Sequence, residues 1–423
     1  MIPNRKEIMP DVYLTYLPAD RFKTCLLSAH LITGLDASTA SLNALLPAVL
    51  RRGTVRCPDM ESLSAALDTL YGATIDYTLR KKGERQCIGF TANCIDDAYA
   101  PGGEKLLEPL AQLLGELFLD PVTKGGRFRS EYVESEKKNL IDAIRAIRND
   151  KRDWADVRLM QEMCADEPYG VLRLGDETSV AKIDNHKLYQ HYQALLATSR
   201  MEMFYSGTAP RERVETALRS AFSTLRRGEI RPLAPIAVVK APDEVRRVTE
   251  SMDVTQGKLS MGWRCETADV PAMVMANLLF GGTSNAKLFL NVREKMSLCY
   301  YASSAYVRSK RLMTVSSGIE AADYDKAVSE ILHQLEEVKN GNWEPWELEG
   351  ALATMESGLQ SLSDSQSALE NFYLGQIATD ETDTELEFLD SLRQVTPERI
   401  RAAAQSAKLD TIYFLKGKED ASC

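Results

Sequence analysis

The run from Gly281 to Tyr300, GGTSNAKLFLNVREKMSLCY, places a guanidinium and a phenol, Arg293 and Tyr300, seven positions apart behind a pair of glycines, Gly281 and Gly282. Arginine presents a planar fork of donors and tyrosine a single hydroxyl, a combination suited to the carbonyls or C-terminal carboxylate of an extended peptide. The stretch reads as a helix from about Ala286 to Met296 followed by a strand beginning near Cys299, so the two groups converge from different elements. A plainer reading stands beside this one: an arginine capping a helix end and a tyrosine packed in a sheet. Gly281 and Gly282 likewise read either as a mobile, substrate-sensing loop or as the C-terminal stop of a helix over Ala272–Phe280.

Few other residues offer chemistry. The four histidines are His30, His186, His191 and His333. His186 and His191 lie five apart, which turns them roughly 140° away from each other on a helix, too far to share a metal. His30 and His333 are solitary and read as satisfied histidines. The eight cysteines at 25, 57, 87, 94, 164, 265, 299 and 423 form no C-x-x-C pair, which excludes a zinc ribbon or dithiol motif and leaves each as a small buried hydrophobe. There is no G-x-S-x-G elbow, and Gly281-Gly282 lacks the third glycine and preceding strand of a dinucleotide site.

A net charge of -10 argues against a nucleic-acid surface and favours a basic or neutral peptide partner. Leu42–Leu50 is too short and too interrupted by proline to cross a bilayer, and residues 1–11 carry no signal-like apolar core, so the expected location is cytoplasmic, with no membrane partner.

At 423 residues, two domains are expected. Pro232, Pro235 and Pro242 among charged residues mark 226–248 as a linker between domains 1–225 and 249–423. The halves echo each other. Strand Cys25–Ile32, helix Ala40–Leu50 and Arg52-Gly53-Thr54 correspond to strand Gly257–Arg264, helix Ala272–Phe280 and Gly281-Gly282-Thr283. A helix around Glu134–Ile147 corresponds to Pro345–Leu362, and strand Met201–Tyr205 to Thr411–Leu415. Runs such as Thr74–Thr78 and Cys87–Thr91, joined by a charged turn at 81–85, read as adjacent antiparallel strands. The expected fold is α+β: two homologous α/β sandwiches, each a largely antiparallel sheet with helices on one face.

With Gly281-Gly282, Arg293-Glu294-Lys295 and Leu298-Cys299-Tyr300 in this register, the run resembles the second-domain signature of the pitrilysin/insulinase metallopeptidases, whose first domain carries an inverted zinc motif, His-x-x-Glu-His. Aligning Arg52-Gly53-Thr54 with the glycine and threonine that follow that motif puts Ala44, Pro47 and Ala48 where the family has His, Glu and His. The third ligand position falls at or beside Ala143, with Asp142 a minor candidate. A catalytic zinc needs three protein ligands and an open position, so the resemblance implies that this chain holds no zinc or other cofactor. It implies instead a pseudo-enzyme: the non-catalytic, substrate-binding subunit of a heterodimeric zinc peptidase. Zinc then sits in a catalytic partner carrying His-x-x-Glu-His, the substrate is an extended peptide, and Arg293, Tyr300, Gly281 and Gly282 contact it. The alternative is a structural or assembly scaffold of the same fold without proteolysis.

Overall fold

The alternating runs of the first half form the strands of one sheet: β1 (Arg5–Met9), β2 (Val12–Pro18), β3 (Thr24–Gly34), β4 (Thr74–Lys82), β5 (Arg85–Ile95) and β6 (Arg200–Gly207), in spatial order β1-β2-β6-β3-β5-β4. The second half forms another: β7 (Arg246–Met252), β8 (Gly257–Cys265), β9 (Cys299–Val307), β10 (Leu312–Ile319) and β11 (Ala407–Gly417), in order β7-β11-β8-β10-β9. Only β2–β6 and β7–β11 pair in parallel, so both sheets are largely antiparallel, as expected. The computed structural model describes Ile2 and residues 4–418, so Cys423 lies outside the described residues; the other cysteines are buried thiols. No helix among the described residues is long and apolar enough to cross a membrane.

The chain divides into two compact units, each assembled from three stretches. Unit 1 takes the residues up to Ile144, Val171–Pro235 and Ser365–Thr382; unit 2 takes Arg145–Gly170, Ile236–Asp364 and the residues from Asp383 on. A sequence cut at 226–248 divides the chain once, whereas the contacts divide it repeatedly, because helix Lys151–Met163 packs on the second sheet and helix Gln366–Ala378 on the first. The linker itself is irregular only as far as Val245, and β7 takes up Arg246–Val248.

These two helices also correct the expectation that helices cover one face of each sheet. Side chains alternate across a strand. On β3, Ser28 and His30 meet Glu370 and Ile32 packs with Leu374, while Leu27, Ala29 and Leu31 on the opposite face are buried as well. On β8, Ser260 and Arg264 face helix Lys151–Met163, and Leu259, Met261 and Trp263 face the main core of unit 2. Gly262 lies under that helix, where a Cβ would sit 2.6 Å from Met163 Sδ, so the Met163 side chain fills the space that the glycine leaves.

Buried charges fix each added helix. In unit 1, Glu370 Oε1 accepts from His30 Nε2 (2.6 Å) and Ser28 Oγ (3.1 Å), and Oε2 accepts from Arg80 Nη1 (2.6 Å). Arg85 and Arg200 donate to the carbonyls of Ala378 and Ile377, satisfying the end of the helix where cations also complement its dipole. In unit 2, Asp156 accepts from Ser260 Oγ (2.6 Å), and Arg264 bridges Glu167 (2.7 Å) and Asp410 (2.6 Å). The serine–carboxylate contact recurs at matching places in both units, a trace of the internal duplication.

Candidate functional site

In unit 2 the expected helix forms over Leu288–Lys295, but it is wound wide, with five-residue hydrogen bonding. Such widening is rare and is frequent at functional sites. Its start is anchored by Lys287 to Glu347 of helix Pro345–Leu362 (3.2 Å, both nearly buried), and its middle by Asn291 Nδ2 donating to Gln334 (2.7 Å). At its end Met296 N–H donates to Asn291 O and Leu298 N–H to Val292 O, and Ser297 turns the chain in the left-handed region (φ 54°). The reversal sends β9 back beside the helix and brings Arg293 and Tyr300 to the rim of one cavity of 450 Å³. Glu294, Ser297, Leu298, Cys299, Glu320 and Asp323 complete its lining.

Neither donor is buried. Arg293 lies over the Phe289 ring (4.7 Å) and pairs loosely with Glu294 (3.4 Å), which leaves its fork within reach of the cavity. Tyr300 is 63% exposed, and its hydroxyl donates to Glu320 Oε1 at 3.2 Å. That bond, with the charge of Glu320, raises the phenol above its usual range. The cavity therefore sets two donors against three carboxylates. It can hold a polypeptide backbone through carbonyl–donor contacts, and it presents negative charge to any basic side chain. Sequence reasoning missed Glu320 and Asp323, which follow β10 and have no local motif.

Gly281 and Gly282 do not line this cavity. They end the widened turn Leu278–Gly282 that continues helix Val270–Asn277. A Cβ on Gly281 would lie 2.5 Å from Leu288 Cδ1 and 2.9 Å from Ser304 N, and one on Gly282 would lie 2.9 Å from Asn277 Nδ2. Both have ordinary negative φ. They pack closely against helix Leu288–Lys295, β9 and the preceding turn.

In unit 1, Ala44 and Ala48 of helix Ala40–Leu50 face Ala143 of helix Ser130–Asn149 across a second cavity, of 340 Å³. Leu45, Tyr77, Leu79, Glu136, Asn139, Leu140, Arg173 and Leu174 complete it. Pro47 is buried within its helix and does not line the cavity; the exposed Asp142 does not line it either. The residues present do not fit a zinc ion. The alanines carry no donor, and the one carboxylate there, Glu136, is held by Arg52 Nε (2.5 Å) and Asn139 Nδ2 (2.9 Å). Among the described residues no group of three or more His, Cys, Asp or Glu could hold a metal ion.

The histidines are structural or exposed. His30 is the fully buried centre of the Glu370 network, with Thr78 Oγ1 3.2 Å from its Nδ1. His191 donates to Asn43 Oδ1 (2.6 Å); burial, with Arg231 and Lys187 nearby, pushes it down to about 4, so it is neutral at physiological pH. His186 and His333 are exposed.

Comparison with known proteins agrees with this geometry. A family model described as the peptidase M16 inactive domain matches residues 182–355. The chain is 36% identical over 409 residues to a Bacillus subtilis protein described as a probable inactive metalloprotease, YmfF, covering 95% of each. Among solved structures, a conserved protein from Enterococcus faecalis superposes with a TM-score of 0.90 at 25% identity, covering 99% of this chain and 100% of that one. A peptidase M16 inactive domain from Pseudomonas fluorescens superposes at 0.79 and 16% identity, covering 99% of each, which speaks to fold alone.

Proposed function

This chain belongs to the M16 peptidase family as one of its inactive, metalloprotease-like members, and from that premise we propose that it is the non-catalytic, substrate-binding subunit of a heterodimeric zinc peptidase that processes peptides. The observation that carries the reading is the contrast between its two cavities. The one lined by Ala44, Ala48 and Ala143 has a single carboxylate, Glu136, already held by Arg52 and Asn139, while the one in unit 2 keeps Arg293 and Tyr300 together on an accessible rim.

In this reading the partner chain supplies the metal and the general base, and this chain supplies orientation. Arg293 donates to one substrate carbonyl through its fork. Tyr300 leaves Glu320 to donate to the oxygen on which charge develops, where a pre-aimed donor acts only in the transition state. Glu320 and Asp323 take up basic groups beside the reacting bond.

The test is reconstitution with a catalytic chain carrying His-x-x-Glu-His. Each chain alone should leave a quenched-fluorescence peptide library uncut, and the mixture should co-elute and cleave it. A catalytic chain that is fully active alone and unaffected by this one would refute the proposal.

A further inference from the structure

We propose that a third cavity, formed within unit 1 by the end of β3, helix Asn185–Thr198 and the segment 231–234, is a binding site for a small organic monocarboxylate with an apolar body. The site depends on neither Arg293 nor a partner chain.

Three observations carry it. First, the cavity is preformed. Its volume of 450 Å³ falls in the range of small-molecule sites. Helix Asn185–Thr198 ends in carbonyls that have no partner within the helix, and the chain that returns past it takes them up. The Gly228 and Arg231 N–H groups donate to the carbonyls of Ala197 and Thr198 (2.9 Å each), and the Arg227 guanidinium donates to those of Leu196 and Ser199. Further on, Arg85 Nη2 donates to Ala234 O (3.4 Å), and Leu233 packs against the core cluster that contains Ile32. The segment 231–234 is thereby pinned at both ends and forms a fixed wall.

Second, the lining is chiefly apolar with hydroxyls left over. Ile32, Leu35, Ala194, Leu195, Pro232 and Leu233 supply the apolar surface. Thr33 and Ser199 line the cavity too, and among the described residues neither hydroxyl makes a hydrogen bond, although Ser199 is only 5% exposed. A buried hydroxyl without a protein partner is a donor kept for something else.

Third, one charge is unpaired. The exposed Arg231 lines the cavity, and among the described residues its guanidinium forms no ion pair or hydrogen bond. The other titratable groups of the lining are already engaged. Asp36 is exposed, and its Oδ1 accepts from Ser38 N (2.7 Å) and Ser38 Oγ (2.5 Å). His191 donates to Asn43 Oδ1, whose Nδ2 donates on to Gln86 (2.7 Å), and the neutral ring adds no second cation. One free guanidinium fork beside hydroxyl donors fits a single carboxylate, and the apolar walls fit the body attached to it.

The experiment is isothermal titration calorimetry of the whole chain with phenylpropanoate at neutral pH. Phenylpropanamide should bind roughly ten- to a hundred-fold more weakly, the value of hydrogen bonds to a charged group. Acetate should bind at least ten-fold more weakly, because it has no apolar body to bury. In proton NMR spectra the ring signal of His191 should move on titration and those of the other histidines should not, since His191 is the histidine that lines this cavity. Arg231→Gln, at an exposed position whose backbone bond to Thr198 is kept, should bring acid and amide to one affinity, and Arg231→Lys should restore part of the difference. Ala194→Phe should fill the cavity and abolish binding of both. Equal affinity for acid and amide on the unaltered chain would overturn the proposal, a readout that stands even where a variant fails to fold. So would an undiminished preference for the acid in Arg231→Gln, or a His191 signal that stays fixed at saturation. Sulfate that displaces phenylpropanoate at equal concentration would reduce the site to a general anion contact, and tighter binding of a Ser-Ser-Ser-Phe peptide would assign it to peptide C-termini; either would overturn the proposal too.

Discussion

Glu370→Gln removes the charge that ties helix Gln366–Ala378 to β3 and β4 while keeping its size. Burial alone would raise a carboxyl with no exposure, but the ion pairs and hydrogen bonds with His30 and Arg80 outweigh it and bring Glu370 from 4.5 down to about 2. A depressed carboxylate stabilises the fold above its unfolded pKa, and that stability is lost as pH falls from about 4.5 towards 2. The charged form is thus worth roughly 3 kcal/mol at pH 7 and about 1 kcal/mol at pH 3. The tryptophans, Trp154, Trp263, Trp343 and Trp346, all lie in unit 2, so their emission follows that unit and hydrogen exchange must report on unit 1. Amides of 366–378 and of β4 should exchange about a hundred-fold faster in the variant at pH 7 and only about ten-fold faster at pH 3, each corrected for intrinsic rates. Tryptophan-detected unfolding should not change. Equal acceleration at both pH values would show that the cost is steric, and none at either would show that Glu370 does not hold the helix.

Gly281→Ala should lower the melting temperature of unit 2, an overpacking cost of about 1–3 kcal/mol. Gly350→Ala, in a helix interior where nothing lies within 4 Å of the added methyl, should instead gain roughly 0.5–1 kcal/mol; calorimetry on the pair gives opposite signs if packing is the reason for Gly281. The triple change Ala44→His, Pro47→Glu, Ala48→His should yield no zinc-dependent cleavage in a peptide assay, because Ala143 still lacks a carboxylate and Glu136 remains held by Arg52. Glu320→Gln should lower the titration of Tyr300 towards the usual phenol range, read as an ultraviolet pH difference against Tyr300→Phe.

Local chemistry made much of this legible in the sequence. Helix Ala40–Leu50 and helix Pro345–Leu362 run over the residues their apolar patterns and proline start imply, and β9 begins at Cys299. What escaped was set by distance along the chain. Glu370 meets His30 across 340 positions, and nothing near either residue announces the partner. The same holds for Asp156 and Ser260, so the exchange of helices between the two stretches of sequence was invisible. The start of strand β7, Arg246–Val248, falls within the predicted linker because the strand lies at a sheet edge with its arginines exposed, which erases the apolar alternation that marks a strand. The glycine pair was ambiguous for another reason: close packing and loop mobility demand the same residue type, and only the positions of Leu288 and Ser304 separate them.

The central claim is that Arg293 and Tyr300 act on a substrate held with a catalytic partner, and steady-state kinetics of the reconstituted pair test it most directly. Arg293→Ala and Tyr300→Phe should each lower kcat/KM by about a hundred- to a thousand-fold if they donate to the developing oxyanion, with loss mainly in KM if they only hold substrate. Arg293→Lys should recover little, since it keeps the charge and loses the fork. Unaltered rates for Arg293→Ala and Tyr300→Phe, with normal complex formation on gel filtration, would contradict the account.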